Sequence, residues 1–247
     1  MFNKILKRYS PNFSLPKRVG STLRFIIIHY TGMKKESEAI ERLTNAKSKV
    51  SSHYFIKSNG EIINLIPDLY TAWHAGKSKW QKFNYLNKNS IGIEINNPGH
   101  DHGYSNFKKK QINSLIKLTK YLIQKYKIKK FNILGHSDVA PDRKKDPGEK
   151  FPWRYLSKRK IGFWHKITYQ VLKKSRNQKI DIKSQNIFFK NLNKIGYVIN
   201  SNINFSKKKN KGLITQAFQR RFRQELINGK IDKECFLISK NIAKLIK

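Results

Sequence analysis

Apolar and polar positions recur along this chain with two different periods. The run Arg24-Phe-Ile-Ile-Ile-His29 is apolar until it closes on a histidine, the pattern of a buried strand. Thr31-Gly32 breaks it, and residues 34–46 continue at helical spacing, with Ile40, Leu43 and Ala46 near one face. His53–Ile56 and Ile62–Ile66 predict two strands around the turn Ser58-Asn59-Gly60. Residues 71–90 are irregular and hold Trp73-His74-Ala75-Gly76. In Ile91–Asn96 the alternation is clean: Ile91, Ile93 and Ile95 face one way, Gly92, Glu94 and Asn96 the other. Residues 108–127 predict a long amphipathic helix through Ile112, Leu115, Ile116, Thr119, Leu122, Ile123 and Tyr126. Phe131–Leu134 is the next strand, followed by a loop over Gly135–Gly148.

This pattern predicts an α/β domain, a mixed central sheet flanked by helices, over residues 21–175. Residues 1–20 read as a basic extension. The texture changes after about residue 170. Arg176–Asp181 is a polar linker, and residues 178–247 predict a small all-α domain, with two or three short amphipathic helices around Gly196-Tyr197 and Gly229-Lys-Ile-Asp232.

The 247 residues suffice for such a main domain plus a small second one. The formal charge of +38 taken alone suggests nucleic acid or another anionic partner. The cations are mostly Lys, with eleven Arg, and they are spread along the whole chain, with short runs at Lys108–Lys110 and Lys207–Lys209. That distribution favours a solvated, compositionally biased surface, with a smaller share assisting acidic peptide ligands; nucleic acid, which favours the planar Arg fork, is not expected. Cys235 is the sole cysteine, so no internal disulfide can form, and it reads as buried and inert. The first twenty residues show neither the apolar stretch of a signal peptide nor a lipid-bearing cysteine, and no transmembrane segment is legible, so the chain reads as cytoplasmic.

Chemistry concentrates at strand ends. His29 closes the first strand, His136 follows Phe131–Leu134, and Asp146 comes ten residues later. Two imidazoles and a carboxylate would make a tripod that leaves a fourth position open on a zinc ion. Each piece alone has a plainer reading: a structural histidine, or an Asp preceding a Pro-Gly turn. Glu94 says more, because an unpaired carboxylate inside an apolar strand is costly unless a proton-transfer role or an ion pair uses it. His53 reads as a structural hydrogen-bonder near the site. Trp73 and His74 read either as lining a substrate groove or as packing residues. His100, His102 and His165 read as surface residues.

Five segments occur in order: Ile26-Ile-Ile-His-Tyr-Thr31, Val50-Ser-Ser-His-Tyr-Phe55, Ala72-Trp-His-Ala-Gly76, Ile91-Gly-Ile-Glu-Ile-Asn96 and Gly135-His-Ser-Asp-Val-Ala-Pro-Asp-Arg-Lys-Lys-Asp-Pro-Gly148. Over roughly residues 20–170 the chain thereby resembles the type 2 N-acetylmuramoyl-L-alanine amidases, which are related to peptidoglycan recognition proteins, and its Glu94 and Asp146 place it with their bacterial branch. The resemblance implies zinc held by His29, His136 and Asp146, Glu94 as acid/base, and Lys144 stabilising an oxyanion; Lys145 should point elsewhere. It implies hydrolysis of the bond between muramic acid, or its 1,6-anhydro form, and L-alanine, in peptidoglycan fragments or the sacculus. Trp73, His74 and Asn96 become candidate substrate-binding residues. Asn193-Lys-Ile-Gly-Tyr197, Ala217-Phe-Gln-Arg-Arg-Phe222 and Gly229-Lys-Ile-Asp-Lys-Glu234 resemble a small helical peptidoglycan-binding module, with a stabilising helical cap as the plainer reading. Amidases carrying this module are usually exported to the cell envelope, which makes periplasm the alternative location. A peptidoglycan sensor without catalysis is the competing function, and the full set of implied site residues argues against it.

Overall fold

The computed structural model describes residues 5–199 and 207–246. Its six-stranded sheet comprises β1 (Leu6–Lys7), β2 (Phe25–Tyr30), β3 (Tyr54–Ile56), β4 (Ile62–Asn64), β5 (Ser90–Ile95) and β6 (Ile133–Gly135), in the order β1-β4-β3-β5-β2-β6. Within this sheet only β3 and β4 pair antiparallel, around the expected turn; its other pairs are parallel. The sheet is therefore mixed, as the sequence predicts.

Eight helices accompany it among the described residues: α1 (Glu36–Thr44), α2 (Lys109–Tyr126), α3 (His136–Val139), α4 (Trp153–Ser157), α5 (Tyr169–Ser175), α6 (Ile182–Ile195), α7 (Lys207–Phe222) and α8 (Lys233–Leu245). Strand β2 explains why its sequence is apolar on both faces. Ile26 and Ile28 pack with Ile91, Ile93 and Ile95 of β5 and with Ile112, Leu115, Leu118 and Leu122 of α2. Phe25 and Ile27 pack instead in a cluster with Phe188 and Leu192 of α6, Phe218 and Phe222 of α7, and Ile238 and Ile242 of α8. One continuous apolar cluster thus joins the C-terminal helices to the sheet. Helix α1 covers β3 and β4 through Ala39, Ile40 and Leu43. Ala46, expected on that face, lies past the helix end and is exposed.

The basic extension and the polar linker both make specific hydrogen bonds. In the extension, Arg18 donates to the carbonyls of Asn87, Ser90 and Tyr70. In the linker, Arg176 forms two hydrogen bonds with Glu234, at 2.7 and 2.8 Å. Among the described residues no helix is long and apolar enough to cross a membrane.

Candidate active site

Parallel pairing of β2 with β5 sets His29 directly beside Glu94, so both side chains project from one face. Strand β6 pairs with β2 up to Gly135 opposite Ile28, which delivers His136 just beyond the strand end. The site thus forms at the carboxyl ends of three adjacent parallel strands. Asp146 returns to it because Ser137 N donates to the Asp146 carbonyl at 2.8 Å. Gly135 permits the approach: a Cβ there would lie 2.7 Å from Cδ of Pro147.

Three donor atoms converge. His29 Nδ1, His136 Nδ1 and Asp146 Oδ2 are each 3.0 Å from the other two, and all three residues are buried. The surrounding hydrogen bonds fix the tautomers. Ser90 Oγ donates to Leu86 O at 2.6 Å, so it accepts from His74 Nε2 at 3.2 Å. His74 Nδ1 is then an acceptor, and takes the Nε2 proton of His29 at 3.1 Å. His136 Nε2 donates to Ala75 O at 3.2 Å. Both Nδ1 atoms therefore carry bare lone pairs that face the Asp146 carboxylate. Lone pairs packed this closely repel unless a cation lies among them. Donors around a tetrahedral zinc, with bonds of about 2.0–2.2 Å, stand roughly 3.3 Å apart, so the spacing and the donor set fit that ion.

Electrostatics hold the donors in ligand form. Burial and the adjacent His136 lower the pKa of His29 to about 4, keeping it neutral. Burial alone would raise Asp146, but its contacts with His136 and then His29 hold it well below the usual carboxylate range, so it remains an anion.

A cleft of about 610 Å³ opens above the cluster. It is lined by Ala39, Arg42 and Leu43 of α1 and by the loop Arg143–Lys145. Glu94 borders this cleft, and its Oε2 has no hydrogen-bond partner. Burial raises its pKa well above the ordinary value, the Asp146 charge adds to this, and Lys144 opposes it. Such a carboxyl is placed to exchange a proton with a molecule in the cleft. Lys144 is half-buried on the wall. Lys145, expected to point elsewhere, also borders the cleft, although it is exposed.

The remaining candidates divide. Trp73 lines the cleft, anchored through Nε1 to Ser14 Oγ at 2.7 Å. His74 borders the cleft, and both its ring nitrogens are hydrogen-bonded, to His29 and to Ser90. Asn96 does not border the cleft: it lies past the end of β5 and donates to Ser58 Oγ at 2.7 Å. His53 accepts from Gly92 N at 2.9 Å, the structural role expected. His100, expected on the surface, is half-buried between Tyr30 and Glu149. Cys235 is buried, its thiol pushed up to about 12.

Sequence reasoning missed Ser90, Arg143 and Asp138. Arg143 donates to Lys77 O at 2.7 Å and to Ala75 O at 2.5 Å, pinning the segment that carries Trp73 and His74 against the ligand loop. One signal for the His74 contact was present: a Cβ at Gly92 would sit 2.4 Å from His74 Cγ, so only glycine fits beside that ring.

Two imidazoles and an aspartate that could hold a metal ion, with an unpaired carboxyl beside them in an open cleft, suit hydrolytic chemistry. The family model described as N-acetylmuramoyl-L-alanine amidase matches residues 19–149, and this chain belongs to that family of amide hydrolases. It is 34% identical over 227 residues to the N-acetylmuramoyl-L-alanine amidase AmiD of Escherichia coli, covering 86% of this chain and 79% of the relative. The structure of AmiD in complex with anhydro-N-acetylmuramic acid-L-Ala-D-γ-Glu-L-Lys superposes with a TM-score of 0.78 at 31% identity, over 91% of this chain and 90% of AmiD. AmpDh3 from Pseudomonas aeruginosa, in complex with an anhydromuramic pentapeptide, gives a TM-score of 0.76 at 28% identity, over 94% and 95% of the two chains.

Proposed function

We propose that this chain uses zinc to hydrolyse the amide between N-acetylmuramic acid, or its 1,6-anhydro form, and L-alanine, in soluble peptidoglycan fragments. The observation that carries the reading is the convergence of three lone pairs, from His29, His136 and Asp146, beside the unpaired Glu94. Both superposing complexes hold anhydromuramyl peptides, which supports the fragment class. A zinc ion on the cluster would supply Lewis acidity to the amide carbonyl and acidify water. Glu94 takes the proton of the attacking water and delivers it to the departing alanine nitrogen. The ammonium of Lys144, on the cleft wall, stabilises the negative charge that develops on the carbonyl oxygen. Arg42 and Lys145 on the rim attract the carboxylates of the stem peptide. A cytoplasmic location accords with fragments as substrate.

The test is mass analysis after incubating the zinc-loaded chain with anhydromuramyl tripeptide. Release of free tripeptide beginning with L-alanine supports the reading; cleavage at any other bond, or none, refutes it.

The similarity of residues 178–247 to a peptidoglycan-binding module supports a second proposal, that these helices hold insoluble peptidoglycan. A Glu94→Gln chain saturated with soluble muropeptide should still sediment with sacculi. Complete release would assign all binding to the cleft.

A further inference from the structure

The C-terminal helices send one cation into the frame of the metal cluster. Arg221, on α7, is 1% exposed and makes an ion pair with Asp138, which is 2% exposed. The same guanidinium donates to Ile133 O at 2.9 Å. Asp138 also accepts from Gly135 N at 2.8 Å and from the hydroxyl of Tyr197, just past α6, at 2.6 Å. The guanidinium lies over the ring of Trp153, 4.1 Å from its centroid, with Phe163 at 4.7 Å.

We propose that Arg221 and Tyr197 are positioning residues for His136. This rests on the reading of His136 as a zinc ligand. Ile133 and Asp138 lie on either side of His136 in the chain, the first on β6 and the second on α3. By holding both, Arg221 fixes the angle at which α3 leaves the strand. Helix α3 is a single turn of four residues and cannot hold that angle by its own hydrogen bonds. Its first ligand contact depends on the angle: His136 Nδ1 must face Asp146 while Nε2 reaches Ala75 O. The same turn carries Ser137 N, which holds the Asp146 carbonyl. A shift of α3 therefore displaces two of the three donors together. An ion pair serving only as glue would be replaceable by apolar packing. Orientation needs the directional set seen here, in which one carboxylate receives a guanidinium, a phenol and a backbone amide.

The test compares the whole chain with its Arg221→Met, Tyr197→Phe and Arg176→Met variants. Zinc affinity is read by chelator competition, cobalt-substituted absorption gives ligand geometry, and thermal unfolding gives stability. Arg221→Met should weaken zinc about tenfold, and Tyr197→Phe, which keeps the ring and the charges, by a few-fold, each with a changed cobalt spectrum. Arg176→Met breaks the linker's ion pairs with Glu225 and Glu234, neither of which is on α3, and should lower thermal stability with zinc affinity unchanged. If Arg221→Met does not fold, Tyr197→Phe decides. A folded Tyr197→Phe or Arg221→Met chain with wild-type zinc affinity and spectrum overturns the proposal. Failure of the wild-type chain to bind zinc would instead overturn the reading on which it rests.

Discussion

His29 gives its only ring proton to His74, Nε2 to Nδ1 at 3.1 Å, and so turns a bare Nδ1 toward His136 and Asp146. The direction of that bond is set two contacts away, by the hydroxyl of Ser90. The ligand capacity of one histidine is thus fixed by a chain of hydrogen bonds running to the Leu86 carbonyl.

Replacing His74 with Phe keeps the ring volume and removes the acceptor. Zinc affinity should fall about 10- to 100-fold, because the His29 proton loses its partner and the tautomer is no longer fixed. Gly92→Ala should act in the same direction, since its Cβ would meet His74 Cγ at 2.4 Å. Chelator competition measures both, and wild-type affinity in His74→Phe would refute the relay.

Glu94 is no part of the three-donor cluster. Glu94→Gln should therefore retain zinc and lose roughly 10²–10⁴-fold in kcat, the usual contribution of a positioned acid/base. Metal analysis together with steady-state kinetics separates the roles. A Glu94→Gln chain that comes out metal-free would make Glu94 a ligand.

The two lysines of the ligand loop should differ. Lys144 is half-buried and its charge acts on both His29 and Glu94, whereas Lys145 is exposed. Lys144→Ala should cost roughly 10²–10³ in kcat with zinc retained. Lys145→Ala should raise KM for the anionic peptide with little change in kcat. Equal kcat losses would show that either cation serves.

Buried neutral histidines make the metal-free chain sensitive to acid. Folding lowers His29 from its ordinary 6.5 to about 4, and His53 to about 3, through burial and then the charges of His136 and Arg18 respectively. Below pH 6.5 the unfolded histidines take protons that the folded ones refuse, so stability present at neutral pH is lost as pH falls toward 4. Asp146, depressed by its histidine partners, adds to the loss at still lower pH. Glu94 works the other way, because its raised pKa lets the folded chain hold a proton and lose stability as pH rises. Four histidines, His29, His53, His74 and His165, are lowered by burial in this way against the one raised carboxyl. At pH 5 His29 alone should cost about 2 kcal/mol. Thermal unfolding of metal-stripped protein should show Tm falling from pH 7 to pH 5; a flat profile would contradict it.

Much of this site was legible because its cues are local. The apolar run before His29 reads as a strand buried on both faces, and the isoleucine alternation around Glu94 places that carboxyl on the face opposite the α2 core. Asn96 shares Glu94's phase, but the strand ends at Ile95 and the phase lapses with it. His74 was legible as a site residue but not as a partner of His29, since the intervening loop has no period to read. Edge strand β1, Leu6–Lys7, is exposed and held through its backbone, so its side chains gave no sign of it. The seat of the tail was hidden for a different reason: Arg221 meets Asp138 across 83 residues, and in a chain with 53 basic residues nothing singles out that arginine.

On the proposed reading, zinc held by His29, His136 and Asp146 drives amide hydrolysis. This is tested most directly by titrating zinc into metal-stripped protein while following release of L-alanine-led peptide from anhydromuramyl tripeptide. Release should be negligible without metal, rise linearly to a break at about one equivalent, and fail to rise in a His136→Ala chain. Full hydrolysis by the metal-stripped protein, or an unchanged titration in His136→Ala, would contradict it.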